Sequence, residues 1–368
     1  MIVEREIAGF TLPYLAALAT TSFLSASFSC GQAHICTYFI LPVTTVAASA
    51  LMHPIHRKWD RMTIMALVTI TAAGCGCISA LRFILSGAEL WPDKGMISET
   101  MTGIGLRMKA AIEAVPFADS TTNGLLSALI TGDRTGIPKE VTASFRNSGA
   151  SHILALSGLH LGIIYGLLTK VLIFLGNSLT SRKLKSVLIV ISCGIYTLAT
   201  GAGASITRAF IFIFMNEVAK LTGRYRSTGS ILLAAAFLQL TASPGSIHDI
   251  GFQLSYAAMA GIAFIFPWLR DLWPAGKNSP MRWVWNSAAM SIACQITTGP
   301  LAWLHFGTFP KYFLLTNLIA LPLTGVIIPS AILATFLNAY GSCPEFIIQT
   351  TERLTFILRE CLDIIASL

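Results

Sequence analysis

Residues 124–165 read GLLSALITGDRTGIPKEVTASFRNSGASHILALSGLHLGIIY, and the places where this stretch breaks decide the fold. A short amphipathic piece, 124–131, ends at Gly132 and Asp133. Glycine takes positive φ and aspartate bonds its own backbone, so a turn is expected there. Pro138 suits the first turn of a second short helix, in which Val141 and Phe145, four apart, share one face. Asn147, Ser148 and Gly149 end that helix. The chain then enters a long apolar helix that carries Ser151, His152, Ser157 and His160. Polar groups entering a membrane are expensive, so they point to function.

The surroundings are oily. Hydrophobic residues make up 54% of the 368 residues, charged residues only 11%, and the mean hydropathy is +0.70. A soluble domain carries about 25% charged residues. The expected class is therefore all-α: a polytopic transmembrane helical bundle of about ten spans with broken helices. No cleavable leader is visible, so the first span is expected to remain.

A net charge of +8 invites a nucleic-acid reading, but the positions of the cations favour a topological one. They cluster in alternate short loops: Arg57, Lys58 and Arg61; Arg182, Lys183 and Lys185; Lys220, Arg224 and Arg226; Arg270, Lys277 and Arg282. The loops near Gly31, Gly201 and Gly245 have none. This is the positive-inside pattern, and it places the N-terminus in the cytoplasm. Expected spans are 10–30, 34–52, 62–85, 150–175, 187–198, 205–221, 230–241, 250–269, 284–304 and 312–337. Gly201 and Gly203 open the sixth, Gly299-Pro300 breaks the ninth, and Pro322 and Pro329 break the tenth. The organisation is then an N-terminal three-span region, 1–85; an extracytoplasmic segment with amphipathic helices, 86–149; a transmembrane core, 150–340; and a C-terminal amphipathic helix, 341–368, on the cytoplasmic surface. Ile104, Met108 and Ile112 mark one face of an amphipathic helix in the extracytoplasmic segment, set to lie on the membrane or to cover a mouth. The eight cysteines form no CxxC pair and read as buried thiols, with Cys30 and Cys36 flanking an outer loop.

Two constellations carry chemistry. Gly158, Gly162 and Gly166 form a small-residue strip for helix packing, while Ser157 and His160 fall on another side of the same helix. Their role is either an interhelical hydrogen bond or the lining of a pathway. A Ser–His dyad lacks its orienting acid, so hydrolysis is disfavoured. The second constellation is Thr200-Gly201-Ala202-Gly203-Ala204-Ser205 with Arg208 one turn in. A glycine-rich turn opening a helix exposes N–H groups, and with Arg208 it suits a phosphate backbone; the alternative is an arginine that snorkels to the interface. Gln253, His305 and Asn317 stand among further intramembrane polar groups, each able to serve as a helix–helix bond. No catalytic, cofactor-binding or metal-ligating set is read, and no Walker-type loop is present.

Four blocks resemble the ComEC family of bacterial competence proteins. They are Thr131-Gly132-Asp133-Arg134 with Ser151–Gly162, then Thr200–Ser205 with Arg208, then Gly251–Ala258 with its Phe-Gln-Leu-Ser, then His305-Phe306-Gly307 with Asn317–Pro322. The resemblance implies a competence-type channel core that passes single-stranded DNA across the inner membrane. For such a channel, Arg134 and Arg208 are expected to contact phosphate, and His152, Ser157, His160, Gln253, His305 and Asn317 are expected to line or gate the path. The segment 86–149 is short for the family's outer OB-like domain, and no His-x-His-x-Asp-His motif is present, so the family's nuclease chemistry does not carry over. Each phosphate moving toward a negative interior costs about 2.3 kcal/mol per 100 mV. An ATP-driven cytoplasmic translocase or DNA-binding protein is therefore implied; the resemblance also implies an outer DNA receptor, and the lipid bilayer surrounds the chain. The competing classes are a small-molecule transporter or flippase with a polar cavity, and an intramembrane hydrolase using Ser157.

Overall fold

The computed structural model describes residues 11–18, 76, 96–222, 227–273, 280–307 and 311–368. Apart from 11–18 and Gly76, the first three expected spans lie outside these residues, as do the Arg57–Arg61 loop, Cys30 and Cys36. Among the described residues every regular element is helical. Among the described residues three stretches are long and apolar enough to cross a membrane: Gly158–Leu175, Ile250–Asp271 and Phe313–Ala339.

The chain divides into two compact units. The first, Met1–Asp93 with Thr222–Tyr256, is built on Tyr14, Leu18, Leu240 and Phe252. Tyr14 meets Phe237 edge-on at 4.7 Å and accepts a 3.1 Å hydrogen bond from Thr241.

The second unit, Lys94–Leu221 with Ala257–Leu368, holds most of the singled-out residues. It begins with α1 (Met96–Glu113), α2 (Ser120–Thr131) and α3 (Lys139–Asn147). Asp119 caps α2 by accepting from Thr121 N–H, and Gly132 ends it at φ +82°. The expected second helix starts after Pro138, and its Val141 and Phe145 are buried as the spacing predicts. Helix α2 is more enclosed than an amphipathic piece: Leu125, Leu126, Ala128 and Leu129 have no exposure. A Cβ on Gly124 would collide with the backbone carbonyl of Gly136, so glycine alone permits that approach. Helix α1 packs its Met108 and Ile112 inward, and Gly105 lies against the Ala199 carbonyl.

After Gly149, φ +82°, the chain makes one turn, Ser151–Leu154, then runs extended through Ala155 to Ser157 before α4 (Gly158–Val171) begins. The expected continuous span from 150 is thus broken just before Gly158, because Ser157 starts a new helix with its own side chain. A 3₁₀ turn, Leu172–Leu175, leads to α5 (Leu179–Ala199), and α6 (Ala204–Leu221) follows the Gly201–Gly203 turn. These helices share a core of Leu161, Ile189, Cys193, Ile206 and Ile213. The small-residue strip is used for packing only at its first member: a Cβ on Gly158 would lie 3.4 Å from Ala209 Cβ, whereas Gly162 and Gly166 have open space around them.

Helix α7 (Thr228–Ala242) belongs to the first unit, and α8 (Ile250–Ala260) leads from it into a π turn, Gly261–Ile265, and α9 (Phe266–Asp271). Helices α10 (Pro280–Phe306) and α11 (Phe313–Ala339) run unbroken through Pro300, Pro322 and Pro329. The expected interruptions there are not made. In an apolar run of 27 residues, leaving helix would strand several N–H groups, whereas continuing strands one carbonyl per proline.

Helix α12 (Glu345–Ala366) folds back along α11, and Tyr312 Oη donates to Leu368 O at 3.2 Å. Segment 114–148 follows the same helix. Asn338 Nδ2 bonds Ala114 O at 3.1 Å, and Thr316 Oγ1 bonds Ser148 O at 2.7 Å. Those partners are about 33 Å apart along α11 at 1.5 Å per residue. Asp119 ties α2 to α12, its N–H donating to Glu352 at 2.8 Å and its carboxylate accepting from Arg359 at 3.1 Å. The 86–149 segment and the 341–368 helix are therefore in contact.

Candidate functional site

The polar residues of the fourth span meet as a helix start. Ser157 Oγ accepts from Leu159 N–H at 3.3 Å, and the Ser157 N–H donates to His160 Nδ1 at 3.2 Å. Ser157 Oγ also lies 3.1 Å from the same nitrogen. This reciprocal pair satisfies N–H groups that a helix start leaves open. Nδ1 acts as acceptor, so the proton of a neutral ring is on Nε2. His160 is 1% exposed and its Nε2 has no hydrogen-bond partner. The sequence reads Ser157 and His160 as two polar residues on one side of a single helix; the structure makes Ser157 the cap of that helix, with His160 in its first turn.

His152 stands on the separate one-turn helix, exposed, with Nδ1 3.1 Å from Gly149 O. Arg134 is exposed and donates from Nε to Leu154 O at 3.2 Å, which holds the turn after α2 over the break before α4. Its neighbour Asp133 accepts from Lys109 Nζ and, at 2.9 Å, from Thr135 N–H. The Lys109 hydrogen bond, helped by Thr135, lowers the Asp133 carboxyl to about 2, and the same bond raises Lys109 above its ordinary value.

Arg208 is 6% exposed, one turn inside α6, after a turn in which Gly201 (φ +85°) and Ala202 (φ +48°) are both left-handed. Asn317 lies one turn inside α11, beside Thr316, and its Oδ1 is buried without a hydrogen-bond partner. The openings of α4 and α6 meet where Gly158 approaches Ala209, and Thr316, in the first turn of α11, donates to Ser148 at the end of α3. His160, Arg208 and Asn317 thus occupy the opening turns of three helices, of which α4 packs against both α6 and α11. His305 is exposed in the last turn of α10. Gln253 belongs to the first unit, where its Nε2 donates to Ile247 O at 2.9 Å.

Sequence reasoning missed Glu217. It is 1% exposed on α6, bonded to Tyr165, Ser186 and Lys220. The available signal was an acid inside an apolar span with a lysine three residues on; Lys220 read instead as a loop cation. No group of metal-ligating side chains is found among the described residues. A groove of about 660 Å³, lined by Ile292, Ile296, Pro300, Trp303 and Phe313 among others, offers one polar side chain, Gln295, and does not suit a charged polymer.

Residues 129–368, more than half of the chain, match the model of the family described as Competence protein. The chain belongs to this family, the ComEC competence proteins. Among curated relatives, ComE operon protein 3 of Bacillus subtilis (strain 168) is 30% identical over 221 residues, which are 60% of this chain and 27% of the relative. Competence protein ComA of Neisseria gonorrhoeae is 24% identical over 268 residues, 71% of this chain and 36% of the relative. Recombination protein 2 of Haemophilus influenzae is 24% identical over 225 residues, 58% of this chain and 28% of the relative. The chain thus spans 27–36% of the length of these relatives. No solved structure matches it.

Proposed function

We propose that this competence-family chain is the membrane core of a DNA-uptake channel, passing single-stranded DNA through the inner membrane. The observation that carries the reading is the buried Arg208, set at the opening of α6 with His160 and Asn317 at the openings of α4 and α11. An arginine at mid-bilayer costs about 2.5–3.5 kcal/mol. A cation and polar atoms kept at one end of three apolar helices suit an anionic polymer entering there. About ten spans with a cytoplasmic N-terminus fit the alternation of cationic loops. The chain carries no Walker-type loop, so force comes from an ATP-driven translocase or a DNA-binding sink, and an outer receptor delivers the strand.

Arg208→Leu tests this. In a transformable strain relying on the protein, uptake of labelled single-stranded DNA is expected to fall at least about tenfold, with membrane levels unchanged. Unchanged uptake overturns the role of Arg208. A small-molecule transporter would instead move a solute with no competition from added DNA.

A further inference from the structure

We infer that Glu217 is a positioning residue that fixes the rotation of α6 and so sets the direction in which Arg208 points; this rests on the pathway role proposed for Arg208. Both oxygens of Glu217 are held by donors on other elements. Oε1 accepts from Tyr165 Oη of α4 at 2.8 Å and from Lys220 Nζ, and Oε2 accepts from Ser186 Oγ of α5 at 2.7 Å. Tyr165 Oη in turn accepts from Lys220 and, at 3.3 Å, from Asn216, and Lys220 Nζ lies 5.1 Å from the Tyr165 ring centre. Two helices therefore grip one carboxylate that is 1% exposed. Turning α6 about its axis, or sliding it, would take the buried carboxylate away from its donors on α4 and α5 and leave it only Lys220 of its own helix.

The rest of α6 shows what this grip fixes. Ile206 and Ile213 share the Glu217 face and join the core with Leu161, Ile189 and Cys193. Ala209 and Phe210 meet Gly158 of α4 and Gly194 of α5. Arg208 is nine residues before Glu217, which is about 180° around an ideal helix. It is buried, and by this spacing it lies on the helix face opposite the clamp. A shift of one residue in rotation, about 100°, would carry it toward α4 and remove it from the direction it now faces.

An ion pair that only adds stability would not control rotation, so the test reads rotation directly. A Cβ at position 158 would lie 3.4 Å from Ala209 Cβ, close to the range of about 3.5–4.5 Å that a disulfide needs. In membranes holding the full chain, the pair Gly158→Cys with Ala209→Cys is expected to cross-link readily under mild oxidant. Glu217→Ala and Glu217→Gln are expected to lower that cross-link at least about fivefold at equal protein level, and to lower DNA uptake in the absence of the added cysteines. Where the Glu217 variants do not accumulate, Ser186→Ala removes a single donor and gives a smaller loss in the same direction. An unchanged cross-link overturns the clamp, whatever uptake does. A lost cross-link with full uptake overturns its connection to Arg208. Failure of the pathway reading itself shows separately, as full uptake by Arg208→Leu with the Glu217 cross-link result intact.

Discussion

Asp133 shows how a single side chain can be tied down without being a site. Its carboxylate accepts from Lys109 on α1 and from Thr135 in its own turn, and so joins α1 to the loop after α2. The folded value of about 2 lies below the ordinary 3.8. A carboxyl depressed in this way contributes its full stabilisation above its unfolded value and loses it as pH falls through the folded one. Lys109 moves upward, so it stays charged across that range. The difference in Tm between the parent chain and Asp133→Asn should therefore be flat from about pH 5 to 8 and close between about pH 4 and 2. A thermal-unfolding series in detergent at stepped pH checks this; a difference that grows toward acid would contradict it. The turn itself was legible, since Gly-Asp is turn chemistry wherever it occurs. The work of Ser157 and His160 was not. A serine three residues before a histidine reads alike as two polar residues on one helix or as the first turn of a new one. Only the extended backbone at Ala155 and Ser157 separates the two.

At the scale of elements, α2 is the piece that amphipathic reading understated. Its pattern, GLLSALIT, has one polar residue in the middle, and Ser127 is as buried as its apolar neighbours, at 2% exposed. What encloses it is contact from α1, just before it in the chain, and from α11 and α12, which lie far away in sequence and leave no trace in local periodicity. The close approach of Gly124 to Gly136 is the part most sensitive to change. Gly124→Leu should abolish the protease-resistant core of the purified protein, because the obstacle is backbone and cannot rotate aside; retention of that core would show that α2 has room the structure denies it. Similar logic explains the prolines. Pro322 and Pro329 looked like breaks, yet α11 keeps buried Thr324, Ile327, Ile328 and Ala331 in register through them. The two faces of α6 were readable in principle from the spacing of Arg208 and Glu217. Their meaning waited on knowing that Tyr165 and Ser186 come to Glu217.

For the whole molecule, composition already gave an oily all-helical chain, and the four sequence blocks gave its family. The path of the chain across the membrane was less legible. Alternating cationic loops report only which side a loop lies on, and they are silent about a segment such as 114–148 that runs beside α11. Because Asp119 bonds both Glu352 and Arg359, the start of α2 and the middle of α12 share one side. Cysteines placed at the exposed neighbours Ser120 and Arg353 should react with a membrane-impermeant thiol reagent from the same side, in cells and in inverted vesicles alike; labelling from opposite sides would contradict this packing.

The central claim is that nucleic acid passes the openings of α4, α6 and α11. Its most direct measurement is photocrosslinking in transforming cells, with a photoreactive residue in turn at positions 160, 208 and 317, and at Phe264 and Trp303, each 64% exposed on apolar surface. The account predicts adducts with labelled single-stranded DNA at the first three positions and none at the last two. Equal labelling at all five, or none at 160, 208 and 317, would contradict it.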